Sequence, residues 1–132
     1  MPEYKLDYFF KKSWSFVLIR GDKIIYKSKS QGLAPLVFCL KKYRKQMRGA
    51  IIYDKIIGLA AAKLLVYGNV AEVLTPTISR DAKKYLQKNK VKLIFKKEVK
   101  NILNRDGNDL CPMERISRGK GIKELCRVLR IV

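Results

Sequence analysis

Between Gly49 and Gly68 the chain reads Gly-Ala-Ile-Ile-Tyr-Asp-Lys-Ile-Ile-Gly-Leu-Ala-Ala-Ala-Lys-Leu-Leu-Val-Tyr-Gly, and no other stretch constrains the fold as much. The run from Ala50 to Tyr53 is short and apolar, which predicts a strand covered on both faces. Asp54 and Lys55 interrupt it. From Ile56 to Val66 the only charge is Lys63, which predicts a helix that is apolar almost all round and therefore buried. Gly68 followed by Asn69 suits a left-handed helix stop. A buried strand running into a buried helix is the centre of an α/β domain, where ligands bind beyond the carboxyl ends of the strands, at helix N-termini. Asp54 and Lys55 are expected in that place.

Around this centre, Glu3 to Lys12 has Leu6, Phe9 and Phe10 at helical spacing and predicts a leader helix. Trp14 to Arg20 and Lys23 to Lys27 predict a β-hairpin across the Gly21-Asp22 turn. Pro35 opens a helix with Leu36, Val37, Cys39 and Leu40 toward the core, ending in the basic cluster Lys41, Lys42, Arg44, Lys45 and Arg48. Beyond Gly68, Ala71 to Leu74 predicts a strand, Thr75 to Ser79 a turn, and Arg80 to Lys88 a helix capped by Ser79 with Asp81 in its first turn. Val91 to Phe95 predicts a further strand and Lys96 to Leu103 a short helix. The polar run Asn104 to Leu110 then leads to a helix with Pro112 at its first position, and Ile122 to Leu129 to a last basic helix. The order predicts a three-layer α-β-α sandwich around a mixed sheet, antiparallel in the hairpin and parallel afterwards. One domain is expected over 1–132, with a leader helix at 1–12, a core at 13–117 and a basic helix at 118–132.

Composition narrows the function classes. Thirty Lys and Arg against 11 acids give a net charge of +19. Such a field attracts RNA, DNA or an acidic partner, although a Lys-rich solvated surface gives the same count. There is no histidine, which removes the commonest general base and the commonest zinc ligand. Three cysteines without paired spacing fit a reducing cytoplasm. Met1 to Lys12 carries acids and no uninterrupted apolar core, so no signal peptide is expected, and no apolar run is long enough to span a bilayer.

The hairpin, the Ala-rich helix, the strand-Pro76-helix step and the stretch Asn104-Arg105-Asp106-Gly107 with Cys111-Pro112-Met113-Glu114 together resemble a small prokaryotic family of uncharacterised proteins. That family looks like a zinc-less branch of the cytidine-deaminase-like fold. The resemblance runs from about Trp14 to Ile116. Nucleoside deaminases place His or Cys, then Glu, at the start of the Ala-rich helix, and Pro-Cys-x-x-Cys at the next. This chain has Tyr53-Asp54-Lys55 at the first place and Pro76-Thr77-Ile78-Ser79-Arg80 at the second. Thr77 and Arg80 stand where thiolates would be, so the resemblance implies a deaminase-like pocket with no metal and no cofactor.

Each candidate has a functional and a structural reading. Asp54 and Lys55 suit a ligand's polar edge and its phosphate or carboxylate, or an N-cap and a solvated first-turn residue. Lysine is unfavourable at the positive end of a helix, which tilts Lys55 toward a ligand. Asn104, Arg105, Asp106 and Gly107 suit an anion-gripping loop or an Asx turn. Cys111, before Pro112 at a helix start, suits a stabilised thiolate or a packed small residue. Cys39 and Cys126 fall on apolar helix faces and are expected in the core. The pocket is therefore expected where Asp54, Lys55, Thr77, Ser79, Asn104, Arg105, Asp106 and Glu114 converge, with Cys111 as the candidate nucleophile. Its expected ligand is a small anionic or nucleotide-like molecule. A nucleic-acid-associated protein using the basic helices is the alternative, and a structural partner protein using a sheet edge or the Phe9-Phe10 leader is a third class.

Overall fold

The structure, a computed structural model, describes residues 6–100 and 121–130. Its centre is a six-stranded sheet built from β1 (Phe16–Arg20), β2 (Lys23–Ser28), β3 (Ile51–Asp54), β4 (Ile56–Ile57), β5 (Glu72–Ser79) and β6 (Lys92–Val99). The helices are α1 (Leu6–Lys11), α2 (Ala34–Lys42), α3 (Arg44–Met47), α4 (Leu59–Tyr67), α5 (Arg80–Lys88) and α6 (Ile122–Val128). Gly21, at φ 63°, supplies the left-handed turn that closes the β1–β2 hairpin. β1 also pairs antiparallel with β3, and β3, β4 and β6 all pair parallel with β5. β3 and β4 lie end to end along one edge of β5, with β6 on the other. The mixed sheet expected from the sequence is present.

Alternation along the strands divides the core between two faces. Phe16, Leu18, Ile52 and Val73 point to one, where residues of α2, α3, α4 and α5 close over them with Cys126 of α6. Val17, Ile19, Tyr53 and Leu74 point to the other, where Phe9 of α1 is fully buried with its ring 5.3 Å from that of Tyr53. Phe9 explains the leader: one aromatic at the right place on a short helix covers the thin face of the sheet. On the thick face, Ala60, Ala61 and Ala62 give α4 a flat side that lies close on the strands. Ser79 caps α5 by accepting from the Ala82 N–H at 3.2 Å, and Asp81 sits in its first turn, both as expected.

Four expectations are corrected. The helix predicted from Ile56 begins at Leu59, because Ile56 and Ile57 pair with Thr77 and Ile78 as a second short strand. Asp54 is therefore no N-cap; Gly58 holds that position, with no side-chain cap bond. The turn predicted over Thr75 to Ser79 is strand instead. Pro76 cannot donate to a ladder, but the Thr75 hydroxyl accepts from the Thr77 N–H at 3.3 Å and donates to the Thr77 carbonyl at 2.9 Å, which carries β5 across the gap. Nor is there a helix from Lys96: Lys97, Glu98 and Val99 pair with Thr77, Ile78 and Ser79, and Glu98 makes ion pairs with Lys83 and Arg80 of α5. At the end of α4 the left-handed residue is Asn69, at φ 59°, and not Gly68. Among the described residues no helix is long and apolar enough to cross a membrane.

Candidate functional site

Two interruptions meet at one point of the sheet. β3 stops at Asp54 and β4 resumes at Ile56, while β5 passes through Pro76 directly alongside. The registers Tyr53 with Leu74 and Ile56 with Thr77 enclose the break on both sides. The pleat also changes phase there. Ile52 and Val73 face the thick core, and so do Ile57 and Ile78, an odd number of residues further on. A sheet continuous in hydrogen bonds is thus discontinuous in facing, and its ladder groups at the break are left to side chains and backbone turns.

Asp54 fills this gap. Its partner in β1 is Phe16, which sets its side chain toward the thick face, and it is 8% exposed. Burial pushes its carboxyl well above the usual carboxylate range, against the pull of the Ile56 and Lys55 backbone N–H groups that donate to it. The described residues place no cation against it. Lys55 follows with its side chain exposed and its N–H bonded to the Ser15 carbonyl at 2.9 Å. Next to Asp54 along β5 comes Thr75, fully buried. It is the polar residue that sequence reasoning missed, and the signal was the Thr-Pro-Thr order: a hydroxyl before proline, able to bridge the missing N–H.

The structure gathers some of the expected residues and parts others. Asp54 and Lys55 share the break. Thr77 lies beside it, half-buried, but the phase change turns it with Ile56 to the thin face. Ser79 is buried at the far end of β5, where its hydroxyl oxygen is engaged in capping α5. Asn104, Arg105, Asp106, Cys111 and Glu114 lie outside the described residues. Cys39 and Cys126 are free thiols buried in the thick core, and burial pushes Cys39 up to about 12. Among the described residues no three His, Cys, Asp or Glu side chains come together as a metal site.

With this geometry in hand, the comparisons place the chain. The family model TM1506, domain of unknown function (DUF1893), matches residues 5–131. The chain belongs to the DUF1893 family. It is similar to a DUF1893 family protein (TM1506) from Thermotoga maritima, known from a crystal structure at 2.70 Å resolution. The two are 27% identical and superpose with a TM-score of 0.84, over 95% of this chain and 84% of that one. No curated protein matches the chain. In this DUF1893 domain the basic run Lys41 to Arg48 falls at the end of the sheet opposite Asp54. Arg44, Lys45 and Arg48 meet Gly68 and Asn69 there around a cavity of about 370 Å³. The signal for that meeting lay in the topology: Gly49 and Asn69 each precede a strand, and the two strands are parallel neighbours.

Proposed function

We propose that this DUF1893 domain binds a small anionic or nucleotide-like ligand at the carboxyl end of its parallel strands, without zinc, as a branch of the cytidine-deaminase-like fold. The observation that carries the reading is Asp54. A carboxyl is buried at a break in the sheet with no described cation against it, an arrangement that costs stability beyond what its two backbone N–H bonds return. The Asp54 carboxyl, an acceptor when ionised and also a donor when protonated, suits the amide or amidine edge of a nucleobase, and the exposed Lys55 beside it suits a phosphate or carboxylate. Zinc chemistry has no support in the residues: the chain has no histidine, and Thr77 and Arg80 take the places of deaminase thiolates. In this reading the domain is cytoplasmic, Asn104, Arg105, Asp106 and Glu114 are further candidate ligand contacts, and Cys111 is the candidate nucleophile.

Native mass spectrometry of the purified, untagged protein tests this. A small-molecule adduct that is absent from the Asp54→Asn variant is expected, and elemental analysis should give well under one zinc per chain. The bare mass, together with no thermal shift from any nucleoside, nucleotide or small carboxylate added back, refutes the reading. The cysteine-dependent variant is tested by iodoacetamide labelling mapped by peptide mass spectrometry. Cys111 is expected to alkylate faster at neutral pH than Cys39 or Cys126, both buried with raised thiol pKa. A folded protein in which Cys111 stays unlabelled has no cysteine nucleophile.

A further inference from the structure

At the amino end of the parallel strands, two chain reversals are fastened together. The Gly49 N–H donates to the Asn69 carbonyl at 2.8 Å, and the Ala71 N–H to the Ala50 carbonyl at 2.9 Å. Above them lies the cavity lined by Arg44, Lys45, Arg48, Gly68 and Asn69, about 370 Å³ with no acidic residue in its wall. Some of its basic character is structural. Arg44 lies over the Tyr67 ring, 3.9 Å from its centroid, and donates to the Tyr67 carbonyl at 3.2 Å, covering the negative end of α4. Arg20, just outside, donates to the carbonyls of Gln46 and Arg48.

Lys45 and Arg48 make no ion pair and no side-chain hydrogen bond among the described residues, and their side chains are exposed beside a fixed guanidinium. Meanwhile the carbonyls that would repel an anion are engaged: Tyr67 by Arg44, Asn69 by Gly49, Met47 by Ala50, and Gln46 and Arg48 by Arg20. The negative ends of α3 and α4 are thus covered, and three positive charges face one hollow. Gly68 lets this wall lie close on the core, because a Cβ there would press on the buried Met47 Cε at 3.0 Å and Leu40 Cδ2 at 3.2 Å.

From this we infer that Arg44, Lys45 and Arg48 form a second binding site, for the phosphate group of a small phosphorylated molecule. The cavity has the size of such a ligand, and the forked guanidinium donors match phosphate oxygens in pairs. The lining includes no aromatic residue among the described residues, and the Tyr67 ring is covered by Arg44, so the hollow offers no described platform for stacked bases. The site lies at the opposite end of the strands from Asp54 and does not depend on it, so either can fail alone.

Equilibrium dialysis with radiolabelled inorganic phosphate tests the site, at about 150 mM salt so that charges more than about 8 Å away are screened. One saturable phosphate per chain is expected, displaced by a sugar phosphate or a nucleoside monophosphate but not by the free sugar or nucleoside. Arg48→Gln and Lys45→Gln should each weaken it roughly tenfold or more, as expected for a charge-assisted contact. Lys84→Gln on exposed α5 removes the same charge elsewhere and should leave it unchanged. If Arg48→Gln fails to fold by circular dichroism, Lys45→Gln still asks the question. Absence of saturable phosphate binding overturns the site, as does an equal loss in the Lys84→Gln protein. Binding of single-stranded oligonucleotides alone also overturns it, since that is the behaviour of general surface charge.

Discussion

Two adjacent residues, Tyr53 and Asp54, carry polar groups into the buried part of the sheet. The Tyr53 hydroxyl is buried and finds no hydrogen-bond partner among the described residues, and burial, with the charge of Asp54 adding to it, pushes its pKa up to about 12. An unmet buried hydroxyl costs about 1–3 kcal/mol, comparable with the gain of about 1.5–3 kcal/mol from burying a large aromatic ring. Tyr53→Phe keeps the contact with Phe9 and removes the cost, so it should stabilise the domain by about 1 kcal/mol in denaturant unfolding. A loss of stability would show that the hydroxyl has a partner. Asp54 makes a pH-dependent prediction. Its folded pKa lies above the unfolded value of 3.8, so the folded state holds its proton longer and ionisation is penalised on folding. Stability from this residue is therefore lost as pH rises from about 4 upward, whereas Asn, which cannot ionise, is spared. The melting temperature of Asp54→Asn relative to the natural protein should climb between pH 4 and pH 8. A difference that is flat or shrinks would mean that Asp54 ionises freely.

At the scale of elements, α5 is held by a cap and an ion-pair clamp. Ser79 accepts the Ala82 N–H, and Glu98 on β6 reaches Lys83 at 2.9 Å and Arg80 at 3.6 Å. The exposed clamp is screened by solvent, so the cap is the stronger contributor. Ser79→Ala should cost about 1 kcal/mol, read as a shift in denaturation midpoint without a change in slope. A neutral result would mean that α5 is fixed by packing alone. That cap was legible in the sequence because capping is a local contact between near neighbours. So were the hairpin, the buried strand at Ile52 and the Ala-rich helix, each written in periodicity or turn chemistry. Asp54 was singled out as interrupting an apolar run, but its place was misjudged: Ile56 and Ile57 have the composition of either a helix start or a strand, and pairing with β5 decides. Thr75 to Ser79 was misread for a related reason. Proline signals a turn locally, and the side-chain bridge from Thr75 with the neighbouring β4 and β6 keeps the chain extended. The Arg44–Arg48 cavity was legible only as a basic run, because its other wall comes from Gly68 and Asn69, brought in by tertiary structure.

For the molecule as a whole, +19 on 132 residues gives a positive field that attracts polyanions whatever the ligand. Weak binding to RNA or DNA at low salt is therefore expected and does not itself mark a function. If some six phosphates are neutralised, affinity should fall about a thousandfold between about 50 and 200 mM salt, without preference among sequences. Tight binding to one RNA at the higher salt would make nucleic acid the partner. The two proposed sites differ in this respect, since each is built around one fixed group, Asp54 in the first and Arg44 in the second, rather than relying on the summed field. They occupy opposite ends of one set of parallel strands, Asp54 where β3 ends and Arg48 just before it begins. The central claim concerns the first of them, and amide NMR of the folded protein tests it most directly. Titration with the four ribonucleosides and their monophosphates should bring saturable shifts at residues 54–58 and 75–79, with the uncharged nucleosides moving these amides and leaving 44–48 and 68–69 unmoved. No saturable shift at 54–58 from any of the eight, with the protein folded, would contradict the account.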